Sequence, residues 1–169
     1  NNIGIVSRWT GVKNVDFCEK LAKYNQKNGG RFVVNVITDL SPNHKIYKKL
    51  SKIVKFHKPK SNKKLALFYR SMGVVISPSH FETYGNVAKE SIASGTPAMV
   101  SCNMGVAETF HKVGLNDWVI DFDSVESVYQ KLEGVIGGGV KKNIRAKMRA
   151  LYLPNKIFGQ MANVLKGAL

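Results

Sequence analysis

PSHFETYGNVAKESIASGTPAMVSCNMGVAE, residues 78–108, is the stretch whose reading decides the fold. An apolar run, Gly73-Val74-Val75-Ile76, leads into it and stops at Ser77-Pro78-Ser79. After a loop, Gly85-Asn86 opens a segment carrying Val87, Ala88, Ile92 and Ala93 at helical spacing. Gly95-Thr96-Pro97 ends that segment, with Gly as the stop signal and Pro just beyond. Ala98-Met99-Val100 then starts another apolar run. Strand, loop, helix, turn and strand make one βαβ unit. Its unbroken apolar runs fit strands of a parallel sheet buried on both faces.

Two carboxylates lie eight residues apart here, Glu82 in the loop and Glu90 in the helix. Glu82 stands just before the helix N-terminus, where the backbone N–H groups of Tyr84, Gly85 and Asn86 have no partner within the helix. Such a terminus suits an anion, typically a phosphate. Carboxylates beside it accept hydrogen bonds from sugar hydroxyls. Donors for a phosphate and acceptors for a polyol together suit a nucleotide-sugar.

Glu82-Thr83-Tyr84-Gly85-Asn86-Val87, then Glu90 and Ala93-Ser94-Gly95-Thr96-Pro97, resemble the E-x7-E signature of the retaining glycosyltransferases of family 4. The sequence departs from that pattern at Ser91, where the family has Ala, and at Lys89, where it has an apolar residue. The resemblance implies a Rossmann-like αβα sandwich with a mostly parallel sheet, the C-terminal half of the GT-B fold. Members of the family carry an acceptor-binding domain first. Residues 1–169 are therefore expected to be a donor-binding domain, with the N-terminal acceptor domain absent from this chain.

The bulk properties agree. A chain of 169 residues can bury one proper core. With 44% apolar and 22% charged residues it reads as globular rather than disordered. No apolar run approaches the ~20 residues of a spanning helix. Asn1-Asn2 leads straight into a strand without a signal-peptide pattern. Cys18 and Cys102 make no disulfide framework and suggest a reducing compartment, so the expected location is cytoplasmic. The net charge of +15 points to anionic partners. Nine of the lysines fall between Lys45 and Lys64. They cross a helix, a strand and a loop, and solvated edges account for them. Acting together, they would suit an anionic membrane surface at its inner face better than nucleic acid, which is not an expected partner.

The remaining elements follow in order. Asn2 to Ser7 reads as a buried strand, and Val12 to Gln26 as a helix stopped by Asn28-Gly29-Gly30. In the resembled family the intervening loop is G-R-x-x-x-x-K-G. Arg8 and Lys13 keep its spacing, while Ser7 and Asn14 replace its glycines. A strand is expected over Phe32–Thr38, then a short helix with Ser41 as N-cap and Pro42 first. A strand over Ile53–Phe56 comes next, and a helix over Asn62–Arg70. The resemblance places the nucleotide base near Phe56 and Lys58, held mostly by main chain; His57 reads as a loop residue. Gly105 and Glu108 match the family loop that closes on the ligand from the other side. Trp118–Ile120 is the last expected strand. Asp121-Phe122-Asp123 reads as an acidic turn rather than a metal site, with Asp123 or Ser124 capping a helix over Val125–Ile136. Helices over Val140–Leu151 and Ile157–Lys166 complete the chain.

The implied activity is transfer of a sugar from a nucleoside-diphosphate sugar with retention at the anomeric carbon. Arg8, Lys13 and the helix N-terminus at Tyr84, Gly85, Asn86 and Val87 would stabilise the departing diphosphate without a metal or another cofactor. Glu82 would hold a sugar hydroxyl and favour a cationic centre. Glu90 would hold the ribose. A domain lacking its acceptor half is expected to bind donor without turnover. Two other classes remain open at this point: a basic, non-enzymatic nucleic-acid-binding domain, and a GT-B-fold nucleotide-sugar epimerase.

Overall fold

The computed structural model describes residues 1–59 and 61–152. Strands and helices alternate: β1 (Asn2–Val6), α1 (Val15–Lys27), β2 (Val33–Ile37), α2 (Lys45–Leu50), β3 (Lys55–His57), α3 (Asn62–Arg70) and β4 (Val74–Ser77). Then come α4 (Asn86–Ser94), β5 (Ala98–Ser101), α5 (Val106–Val113), β6 (Val119–Ile120), α6 (Val125–Val135) and α7 (Lys142–Leu151). The strands form a six-stranded sheet in the order β3-β2-β1-β4-β5-β6. All its pairings are parallel. The chain has the expected Rossmann-like α/β fold.

The apolar runs became strands because both sheet faces are covered. Along β4, Val74 and Ile76 enter one core with Ile3, Phe17, Leu21 and Leu132, while Val75 enters another with Phe68, Tyr69 and Met72. Along β5, Met99 joins the first core, and Ala98 and Val100 join a third with Ile92, Phe110 and Met148. Alternation of side chains across a strand thus favours apolar residues at successive positions. Cys18 sits in the first core, and burial pushes its thiol up to about 12; Cys102 is exposed.

Several boundaries differ from the sequence expectation. The short helix α2 starts at Lys45, not at Ser41-Pro42, and the His44 side chain caps it by accepting from the Ile46 N–H at 3.2 Å. Ser41 instead accepts the Asn43 N–H on its hydroxyl and the His44 N–H on its carbonyl, which closes a separate turn. Strand β3 begins two residues later than expected, because the Ile53 and Val54 N–H groups both return to the Leu50 carbonyl. Gly11–Lys13 is a 3-10 turn preceding α1, and Trp118 closes another before β6. Ser124 does cap α6, accepting from the Ser127 N–H, while Asp121 accepts the Asp123 N–H. The expected helix over Ile157–Lys166 lies outside the described residues.

Asn25 is the polar pin of this core. Its amide donates to the Phe32 carbonyl at 2.8 Å, and its carbonyl oxygen accepts the Phe32 N–H at 3.0 Å and the Tyr129 hydroxyl at 3.2 Å. It ties α1 to the start of β2 and to α6. Asn25→Leu strands both Phe32 backbone groups and should cost ~2–4 kcal/mol. A lower urea midpoint at unchanged slope is the expected result.

Candidate functional site

The chain turns one way from β1 to β2 and β3, and the other way from β4 to β5 and β6. The loops after β1 and β4 therefore diverge at the sheet centre and leave a crevice beyond the strand ends. A cavity of about 310 Å³ lies there. Ile5, Ile37 and Ile76 form its floor, and Arg8, Lys13, Asp39, Ser79, Glu82 and Val87 stand around it.

Each wall is fixed by main-chain contacts. The Ser7 N–H donates to the Ile37 carbonyl at 3.1 Å, which starts the first loop beside β2. The Trp9 N–H donates to the Asp39 carboxylate at 2.8 Å and holds that carboxyl below its usual range. Asn14 has φ 52 and ψ 49, the left-handed conformation its glycine counterpart would supply. Asn tolerates that conformation better than most residues, so the loop turns without glycine. The His80 N–H donates to the Val12 carbonyl at 2.9 Å, so the loops after β1 and β4 touch. Between them Lys13 Nζ meets Glu82 Oε2 at 2.8 Å, and the Ser79 hydroxyl donates to the same oxygen at 3.3 Å. Both members of the ion pair are about one-fifth exposed, at 23% and 21%.

The loop after β5 closes the far wall. The Gly105 N–H donates to the Glu82 carbonyl at 2.8 Å. A Cβ on Gly105 would fall 2.2 Å from the Thr83 carbonyl oxygen. Gly85 has φ 58, and its Cβ would fall 2.4 Å from Val106 Cγ1. Glycine is needed at both points for two loops to pass in contact. Gly85 precedes the first turn of α4, and no side chain caps that helix.

Of the residues picked from the sequence, Arg8, Lys13, Glu82 and Val87 line the crevice, and Gly85 and Gly105 shape its wall. Tyr84 and Asn86 lie exposed beside α4's start. Glu90 does not line this crevice. It accepts the Tyr69 hydroxyl at 2.8 Å and borders a second cavity, about 740 Å³, between α4 and α7. Burial and the adjacent Glu90 push the Tyr69 phenol above its usual range, which keeps it a donor. Lys89 on the same cavity rests over the Tyr152 ring at 4.0 Å and the Tyr84 ring at 5.3 Å, and desolvation lowers its pKa. Phe56 stacks on Tyr47 with centroids 4.2 Å apart and pairs with Val36 in the sheet; Lys58 is exposed, and neither lines the crevice. Glu108 faces solvent from the first turn of α5, paired with Lys112 at 2.6 Å.

Asp39, Thr38 and Ser79 were not singled out from the sequence. Thr38 and Asp39 follow directly on the carboxyl end of an apolar run, and that position was the available signal. Among the described residues no group of three or more His, Cys, Asp or Glu side chains could hold a metal ion.

The sequence model of glycosyl transferases group 1 matches residues 1–151. The chain belongs to that family. A D-inositol 3-phosphate glycosyltransferase of Streptomyces griseus is 35% identical over 57 residues, covering 34% of this chain and 12% of the relative. The structure of TarM from S. aureus, solved with UDP, has a TM-score of 0.76 at 16% identity, covering 96% of this chain and 34% of that one. The C-terminal domain of a glycosyl transferase group 1 family protein (LpcC) from Francisella tularensis has a TM-score of 0.69 at 19% identity, covering 90% and 86%. These structural likenesses establish the fold, and the match spans a small part of the curated relative.

Gly105→Ala forces the wall apart at the Thr83 carbonyl and should cost ~1–3 kcal/mol. Gly134, in α6, has open space at its Cβ. Gly134→Ala should be neutral to stabilising by up to ~1 kcal/mol. Thermal denaturation of the two variants checks the contrast.

Proposed function

We propose that the crevice is the donor site of a retaining glycosyltransferase that takes its sugar from a nucleoside-diphosphate sugar. The observation that carries this reading is the Lys13–Glu82 pair beside the uncapped start of α4, with Arg8 on the same crevice. Cations and backbone N–H groups face the place of a diphosphate, and a carboxylate waits beside them for a hydroxyl. The E-x7-E resemblance and the family membership support it. So does the UDP held by one structural neighbour.

In this reading Arg8, Lys13 and the N–H groups at α4 neutralise charge on the departing diphosphate, which is electrostatic catalysis without a metal or cofactor. Glu82 holds a sugar hydroxyl and stabilises positive charge at the anomeric carbon. Glu90 serves the ribose hydroxyls, and releasing the Tyr69 hydroxyl is part of that engagement. The main chain at Phe56 and Lys58 meets the base. Gly105 brings the β5–α5 loop close, and Glu108 reaches the ligand only by leaving Lys112. Residues 1–169 act as the donor-binding domain, an assignment supported by the 86% coverage of a C-terminal domain solved by itself. The acceptor side lies outside residues 1–169, and the enzyme works in the cytoplasm.

Titration of the chain with UDP, GDP and ADP, followed by amide NMR shifts, tests the proposal. One diphosphate should move resonances of residues 7–13 and 79–87 at moderate salt. Removing a charged hydrogen-bonding partner with Lys13→Ala or Arg8→Ala should weaken binding about tenfold or more. Glu90→Ala should weaken it several-fold. If none of the three diphosphates perturbs those residues, the donor-site reading is wrong.

A further inference from the structure

Between Leu40 and Phe81 the sequence holds nine lysines and Arg70, and no Asp or Glu. That stretch accounts for ten of the net fifteen positive charges. Its lysines precede, lie on and follow the edge strand of the sheet. Strand β3 is the edge strand. Helix α2 precedes it, and its Leu50 packs into the core that includes α1. Helix α3 follows it and packs Phe68 and Tyr69 into the core on the opposite face. Lysines on both helices and on the strand between them therefore border one edge. Lys45, Lys48, Lys52, Lys55, Lys63 and Lys64 are all exposed. Glu19 on α1 reaches in and pairs with Lys49 at 2.7 Å. Lys55 alone would blunt the open strand against unwanted pairing; the remaining lysines lie off it.

We propose that this edge docks on an anionic lipid surface. Three observations favour a bilayer over nucleic acid. On α3, Lys63, Leu67 and Arg70 are exposed at helical spacing on one stripe, and Leu67 is 61% exposed between the two cations. An apolar side chain ringed by cations suits the boundary between headgroups and acyl chains. Tyr47 and Phe56, the aromatics of α2 and β3, are half-buried and stacked on each other, so they offer no platform for bases. The cations are nearly all lysines, point charges suited to a diffuse charged plane rather than to bidentate base edges. Pro59, two residues past β3, lines the crevice, so docking by this edge sets the crevice beside the lipid surface.

The test uses the full chain and sedimented vesicles, of neutral phosphatidylcholine alone or with one-third phosphatidylglycerol. Lysines near an anionic surface each add a several-fold gain in partitioning. Binding to the anionic vesicles alone is expected at about 0.1 M salt, with loss at about 0.5 M. A variant with Lys48, Lys52, Lys63 and Lys64 all changed to Glu should lose at least tenfold, with circular dichroism confirming its fold. Leu67→Ser, which changes no charge, should lose several-fold and stands as a second readout should the first variant fail to fold. None of these residues lines the crevice, so nucleotide binding is expected to persist in both variants. That separates this proposal from the donor-site reading. Absence of partitioning, equal binding to neutral vesicles, or unchanged partitioning of a folded variant overturns it. So does displacement from vesicles by a short RNA duplex bound more tightly than the lipid.

Discussion

A parallel sheet brings the carboxyl end of every strand to the same edge of the molecule, and this constraint governs the rest of the structure. Each crossover returns through a helix, so helices cover both faces and most strand residues are apolar. The loops that leave the carboxyl ends then lie near one another. At the centre, where the chain departs from β1 to one side and from β4 to the other, the loops part. Arg8, Lys13, Asp39, Ser79 and Glu82 come from three different strand ends and meet there.

What was legible in the sequence follows from that constraint. The runs Ile3–Ile5, Val74–Ile76 and Ala98–Val100 were readable as strands because burial on both faces leaves no polar alternation to confuse them. The start and stop of α4 were readable because Gly85 and Gly95 sit in the left-handed conformation, a requirement local to each residue. Elements resting on tertiary contact were harder. Ser41-Pro42 carries the local marks of a helix start, yet its hydrogen bonds close a turn and His44 takes the cap. Ile53 and Val54 look like strand residues, and the Leu50 carbonyl holds both in the preceding turn.

The site divides the same way. Lys13 and Glu82 were both identifiable, each from its own motif; that they form an ion pair across 69 positions of sequence was not. Asp39 carries no motif, and its role as acceptor for the Trp9 N–H depends on β1 and β2 lying side by side. Glu90 was found by spacing from Glu82, but spacing along a helix does not say which neighbour claims the carboxylate. Tyr69, from α3, does so here. Asn14 is the opposite case. It stands where the resembled loop has a glycine, and it adopts the left-handed conformation a glycine would take.

The ion pair between Lys13 and Glu82 also works as a lock with two keys. A bare anion that draws the ammonium away breaks the Glu82 ion pair and leaves the carboxylate to the Ser79 hydroxyl at 3.3 Å, so the anion's attraction is partly offset. A molecule that brings a hydroxyl together with its phosphate replaces the lost partner as it arrives. The crevice would thus favour ligands that carry both groups at the right separation over inorganic phosphate. Selectivity of this kind needs no contact with the base or with the identity of the sugar.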